Sequence, residues 1–229
     1  MYKKEPKHGS HLPILSKDPY RFLAAIYRGA AWLYSGGAIG RGKAYQTRHI
    51  NAGDRVCFIG VGPGEDALRA TMVGARVTVI DRSEAMLHKL RHRFHRAGLP
   101  LPEVICADIW NLKASATWDV LVTNYFLNIF ELRRLTELFE KLETLLIPGG
   151  LWLIADFAPF RGPGHLLQKL YWYLPLQIAH RVTGEEVHPI YDYSALLAKR
   201  GYQLECVELW RIAGQGPAWY RSLRLRKPF

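Results

Sequence analysis

The chain is poor in cysteine. It has three in 229 residues, Cys57, Cys106 and Cys206. An odd, widely spaced set offers neither a disulfide framework nor a metal-ligand spacing. Each cysteine falls in an apolar, strand-like run, so buried thiols in a reducing compartment are expected, with the cytoplasm as the location. No apolar run approaches the roughly eighteen residues that a membrane-spanning helix needs. The opening Met1-Tyr2-Lys3-Lys4-Glu5-Pro6-Lys7-His8 lacks the apolar core of a signal peptide. Acidic residues are scarce too, 20 Asp and Glu against 31 Lys and Arg, for a net charge of +11. That balance suits an anionic partner, whether nucleic acid, a membrane surface or an acidic substrate, and serves plain solubility equally well. Internal repeats and low-complexity tracts are absent.

What is present is an ordinary globular composition, 49% hydrophobic and 22% charged. Residues 1–18 read as a mobile basic arm, and residues 19–229 as a single domain. Within it, Phe22, Ile26, Ala30 and Leu33 recur at helical spacing in an aromatic segment, part of an N-terminal helical cap over 19–52 that ends in a helix from Lys43 to Ile50. Strands and helices then alternate. Strands are expected at 56–59, 75–81, 103–107, 118–124 and 151–156, and helices at 65–73, 83–97 and 131–146. Alternation of this kind implies a parallel sheet with helices on both faces. After Asp156 it breaks into a basic, aromatic lid insertion over 160–190, a helix at 191–200, and a hairpin formed by 203–212 and 218–226.

The organising stretch is Val56-Cys57-Phe58-Ile59-Gly60-Val61-Gly62-Pro63-Gly64-Glu65-Asp66, a buried strand, a glycine-rich turn and a helix start. Glycines let the backbone turn sharply and let a ligand come close. The next strand ends in Asp81, and an acid there can bond both hydroxyls of a ribose. Two nucleoside cofactors could use this arrangement. A dinucleotide fingerprint needs a third glycine where Glu65 stands, and two acids at the helix start would repel a pyrophosphate. A phosphate-free, cationic donor, S-adenosylmethionine, tolerates those acids and is favoured. Asp81, Asp108, Asn124 and Asp156 all lie at the carboxyl ends of strands, where ligands of such sheets bind.

Taken together, Gly60-Val61-Gly62-Pro63-Gly64, Val79-Ile80-Asp81-Arg82-Ser83-Glu84-Ala85-Met86-Leu87, Ala107-Asp108-Ile109, Trp118-Asp119 through Asn124-Tyr125-Phe126-Leu127-Asn128, and Ile147-Pro148-Gly149-Gly150 resemble the class I S-adenosylmethionine-dependent methyltransferases. The likeness runs from about residue 20 to 226 and leans loosely toward the quinone- and phospholipid-modifying branch. It implies a doubly wound, Rossmann-like α/β sheet of seven strands, six parallel and the last antiparallel. It implies that Gly60, Gly62 and Gly64 hold the methionine end of the cofactor. Asp81 would hold the ribose, Arg82 and Met86 would lie beside the adenine, Asp108 and Ile109 would face its amino group and ring, and Asn124 and Tyr125 would line the floor near the methyl. One departure stands out: the family usually has an acid two residues before the first glycine, helping to hold the cofactor's ammonium, and here that place is Phe58, with Glu65 or Asp66 as substitutes.

The expected reaction is in-line transfer of a methyl group to a small, apolar or lipid-like acceptor. His165, opening the lid helix, is the candidate base, and Tyr125 a second catalytic candidate; Tyr27, Tyr34 and Asp156 are the candidate substrate contacts. His88, His92 and His95 share one helix with Lys89, Arg91, Arg93 and Arg96 and read as a solvated face, so no metal is expected. The mixture of Leu, Trp and Tyr with Lys169, His180 and Arg181 over 165–182 suits either a lid over an apolar substrate or a contact with a membrane surface. Two alternatives stay open. One is an RNA or protein methyltransferase using the basic surface, the other a non-catalytic partner that kept the fold.

Overall fold

The computed structural model describes residues 32–112, 117–159, 166, 168–173, 177, 189–214 and 216–229. The helices are α1 (Ala38–Thr47), α2 (Glu65–Met72), α3 (Glu84–Arg96), α4 (Leu132–Glu143) and α5 (Tyr193–Ala198). The strands are β1 (Arg55–Ile59), β2 (Arg76–Asp81), β3 (Glu103–Cys106), β4 (Trp118–Asn124), β5 (Leu146–Phe157), β6 (Gln203–Trp210) and β7 (Tyr220–Arg226). They form one seven-stranded sheet in the order β3-β2-β1-β4-β5-β7-β6, with β7 antiparallel to both neighbours. The alternation predicts the parallel part of this doubly wound, Rossmann-like sheet, and the resemblance implies its seven strands with the last one antiparallel.

The central strands are apolar over 56–59, 120–122 and 151–155 because both faces are covered there. Cys57, Ile59, Leu121, Trp152 and Ile154 pack on one face with Leu135, Leu138, Phe139 and Leu142 of α4. Val56, Phe58, Val120, Val122 and Leu153 pack on the other with Ala67, Leu90 and Phe94 from α2 and α3. Neighbouring residues thus serve opposite cores, as the two-residue period of a strand requires. Helices α3 and α4 begin where side chains take up orphan amides. Ser83 accepts from the Met86 amide at 3.2 Å, and Glu131 from those of Arg133 and Arg134, both at 2.9 Å.

Two boundaries differ from the sequence expectation. α1 starts at Ala38, not Lys43, and Gly42 brings it close to its neighbours: a Cβ there would meet the Trp210 ring and the Ser222 hydroxyl at 3.4 Å, so the bare backbone lets the helix lie close to β6 and β7. β5 starts at Leu146, ahead of the expected turn at 148–150. Its pairing with β4 slips between Trp118 and Val120, and the bulged stretch is held from the other side by the C-terminal tail, the Lys227 amide donating to the Gly150 carbonyl at 2.9 Å. The cysteines also differ. All three are free, but only Cys57 is buried; Cys106 is exposed on edge strand β3 and Cys206 is half-buried.

The parallel strands end on one side of the sheet. β1 and β4, adjacent at its centre, send their following loops in opposite directions there, which opens a crevice above their carboxyl ends.

Candidate cofactor and acceptor site

The turn after β1 is built on left-handed backbone, with φ of +66° at Gly60, +56° at Gly62 and +74° at Gly64. The three glycines do different work. A Cβ on Gly60 would sit 2.4 Å from the Phe126 ring, so this glycine lets an aromatic side chain close down on the turn. A Cβ on Gly64 would sit 2.6 Å from Leu90, so this one lets α2 pack on α3. Nothing lies within 4 Å of a Cβ on Gly62, which faces open space. Asp81, at the end of β2, leans toward that space: its Oδ2 accepts from the Gly62 amide at 3.0 Å and its Oδ1 from the Ser83 amide at 2.9 Å.

A cleft opens here. Its polar edge is Gly60, Gly62, Asp81, Arg82 and Asp108, and its apolar wall is Ile59, Ile80, Met86, Ala107, Ile109, Trp110, Tyr125, Phe126, Ile129 and Phe130. Asp108 caps the short turn 109–111 by accepting from the Trp110 amide at 3.1 Å, which directs Ile109 and Trp110 to the cleft. Across from them, Phe126 and Phe130 lie edge to face at 5.3 Å, and Phe130 meets Trp110 in the same manner at 6.3 Å. Tyr125 is the only non-glycine residue with positive φ among those described, at +54°, held by its amide donating to the Ala155 carbonyl at 2.7 Å. Such strain persists only where the surroundings impose it. Here it turns the chain after β4 back over the glycine loop and brings Phe126 against Gly60.

The expected cofactor residues Gly60, Gly62, Asp81, Arg82, Met86, Asp108, Ile109 and Tyr125 thus share one cleft. Gly64 and Asn124 stand behind it. Asn124 is buried, donating through Nδ2 to Asp66 Oδ2 at 2.8 Å and accepting from the Ala155 amide at 3.0 Å. Asp66 is itself buried, 3.6 Å from the Lys43 ammonium of α1, with its Oδ1 enclosed and unpartnered among the described residues. Lys43 lies 6.0 Å from the centre of the Tyr125 ring. Glu65 instead turns outward to Arg69 and Arg93, at 3.5 and 3.9 Å, and Phe58 is sealed in the core. Of the two acids that could stand in for the missing one at 58, only Asp66 is internal.

His165 and Tyr27 lie outside the described residues. Tyr34 is described. It stacks on Tyr171 with ring centres 4.1 Å apart, its hydroxyl donating to the Tyr171 carbonyl at 2.7 Å, while the Tyr171 hydroxyl donates to the Tyr34 carbonyl and lies 2.9 Å from that of Tyr220. Burial raises the pKa of both tyrosines. Asp156 has no exposed surface and is not part of the cleft wall. It accepts from its neighbour's amide, Phe157, at 2.8 Å and faces Arg221, Tyr193 and Asn128; burial pushes its pKa up to about 7 against those partners. The sequence reading did not single out Lys43, Trp110, Phe126, Ile129 or Phe130. The dense apolar and aromatic run from Tyr125 to Phe130 was a signal for the last three. His88, His92 and His95 are exposed, and no group of three or more metal-ligating side chains occurs among the described residues.

The methyltransferase-domain family matches residues 56–150, from the start of the glycine strand to the Pro-Gly-Gly turn. The chain is similar to protein-L-isoaspartate O-methyltransferase 2 of Rhodopseudomonas palustris, 29% identical over 160 residues that cover 65% of this chain and 69% of that protein. Among solved structures it is similar to Burkholderia thailandensis 1,6-didemethyltoxoflavin-N1-methyltransferase bound to 1,6-didemethyltoxoflavin and S-adenosylhomocysteine, with 17% identity, a TM-score of 0.66, and coverage of 99% of this chain and 94% of the other. It is also similar to magnesium protoporphyrin IX methyltransferase of Synechocystis PCC 6803 bound to S-adenosylhomocysteine, with 17% identity, a TM-score of 0.58, and coverage of 96% and 90%. Residues 56–150, from the glycine loop through the Asp81 and Asp108 strand ends, match the methyltransferase-domain family, and the seven-stranded sheet that carries them has the fold of the solved methyltransferases it is similar to.

Proposed function

We propose that the protein methylates a small, apolar or lipid-like acceptor, using S-adenosylmethionine. The observation that carries this reading is the composition of the cleft. One edge offers a carboxylate, Asp81, and an open backbone at Gly62; the opposite wall is Trp110, Phe126, Ile129 and Phe130. The residues fit the cofactor: Asp81 can accept from two ribose hydroxyls, Asp108 and Ile109 can meet the adenine, and Asp66 and Lys43 offer opposite charges near the amino-acid end. Bound there, S-adenosylmethionine supplies a methyl group already activated by its sulfonium.

The protein's own task is then to align the acceptor and exclude water, and alignment of this kind contributes about 7–11 kcal/mol. The aromatic wall does both for an apolar acceptor and leaves a charged one poorly solvated. A base is needed only where the acceptor must lose a proton. His165 keeps that role in the proposal, with Tyr125 orienting the acceptor.

The test is incubation with methyl-labelled cofactor and separate lipid, small polar, protein and RNA fractions. Label in the lipid or apolar small-molecule fraction is expected. Label confined to protein carboxyls or RNA would overturn the choice of acceptor while leaving the cofactor reading intact.

A further inference from the structure

Surface helices ordinarily turn polar side chains outward. The lid helix does the reverse. Its residues Leu166, Leu170 and Tyr173 follow one another at i, i+4 and i+7 and are 69%, 70% and 51% exposed, while Gln168 and Trp172 on the other side are buried. A second segment, 137 residues away in sequence, exposes apolar surface beside it: Trp32 and Leu33 are 66% and 79% exposed, and the next residue, Tyr34, is clamped to Tyr171 of the lid by stacking and hydrogen bonds. Two independent pieces of chain are therefore tied together with their large apolar side chains facing solvent. Contiguous exposure of this kind marks an interaction surface.

The charges around it say what the partner is. Lys169 lies on the lid helix between Leu166 and Leu170 and is exposed. The Arg41 guanidinium and the Trp32 indole converge over Gly37, 3.3 and 3.5 Å from where its Cβ would lie. Arg41 and Arg211, both exposed, hydrogen-bond to carbonyl oxygens of Gly36, Arg211 and Gly216. In sequence, residues 1–31, joined directly to Trp32, carry six Lys and Arg against two acids. Apolar side chains ringed by Lys, Arg and Trp are the composition of a surface that inserts shallowly among lipid headgroups. No described helix is long and apolar enough to cross a bilayer, so the contact would be peripheral.

We propose that the face formed by Trp32, Leu33, Leu166, Leu170 and Tyr173 docks on an anionic lipid bilayer. Insertion of the leucines and aromatics supplies the apolar part, and Lys169, Arg41 and the basic N-terminal segment supply the attraction to the headgroups.

The test is sedimentation of the full chain with sucrose-loaded vesicles of phosphatidylcholine alone and of phosphatidylcholine with 30% phosphatidylglycerol. Binding to the anionic vesicles is expected, weakened by salt, with little to the neutral ones. Leu166→Ser with Leu170→Ser should lower the partition coefficient roughly tenfold or more, since each removes a side chain that would be buried in the interface. Both positions are exposed, so the variant should keep its melting temperature, and S-adenosylhomocysteine binding checks the fold separately. Vesicle binding unchanged in the variant would overturn the proposal, as would failure of the native chain to sediment with either vesicle. A concentration-dependent dimer abolished by the same substitutions would instead assign the face to a second copy of the chain and also overturn it.

Discussion

Asp156→Asn should change how stability depends on pH. The Asp156 carboxyl is fully buried between β5 and α5. Its cross-strand neighbour Arg221 is committed to Asp192 and the Tyr191 carbonyl, at 3.0 and 2.7 Å, and its Oδ2 is enclosed without a partner among the described residues. Desolvation therefore dominates, and the pKa rises to about 7 despite the opposing pull of the Phe157 amide, Arg221, Tyr193 and Asn128. In the unfolded chain the same group titrates near 3.9. The folded state thus holds the proton more tightly, so the stability this group contributes is fully present below pH 4 and is lost as pH rises toward 7. Linkage over that shift amounts to on the order of 2–3 kcal/mol lost between pH 5 and pH 8. An amide has no charge to desolvate, so the variant should gain that much on the native protein over the same interval. Urea unfolding at pH 5, 6, 7 and 8 measures the difference. Parallel profiles for the two proteins would show that Asp156 is ionised in the fold throughout, and would refute the reasoning.

Three further outcomes follow from the site. Asp66→Asn should weaken S-adenosylhomocysteine by about 1.5–3 kcal/mol while leaving 5′-methylthioadenosine, which lacks the amino-acid end, unchanged in calorimetry. Gly64→Ala should lower stability by about 1–3 kcal/mol in thermal melts, because the new Cβ meets Leu90 on a backbone of positive φ. Tyr171→Phe removes the hydroxyl shared with Tyr34 and Tyr220; it should speed proteolysis near residues 166–173 without altering the global unfolding midpoint by more than about 1 kcal/mol.

The fold was legible because its signal is local. A strand buried on both faces must be apolar at every step, and runs such as 56–59 and 151–155 have few other readings. The carboxylates at strand ends were legible for the same reason, since Asp81 and Asp108 interrupt such runs. What was hidden depends on partners far along the chain. The start of α1 at Ala38, ahead of the expected Lys43, goes with Gly42 packing on Trp210 and Ser222 of β6 and β7. The early start of β5 depends on the C-terminal tail holding its bulge. Asn124 suited a ligand contact by position, but its amide is spent on Asp66 behind the cleft, across 58 residues of sequence. Asp156 sits at a strand end like the others, yet α5 and β7 close over it. Sequence position gives the end of the strand, and the covering elements decide whether the side chain meets a ligand.

The central claim is that an adenosyl group without phosphate binds where β1 turns into α2, with Asp81 on its ribose. Isothermal titration of the native protein and of Asp81→Ala with S-adenosylhomocysteine, and of the native protein with NAD, tests it most directly. The account predicts saturable binding of S-adenosylhomocysteine, weakened by about 1.5–3 kcal/mol in the variant, and none of NAD. Equal affinity in native protein and folded variant, or binding of the dinucleotide in its place, would contradict it.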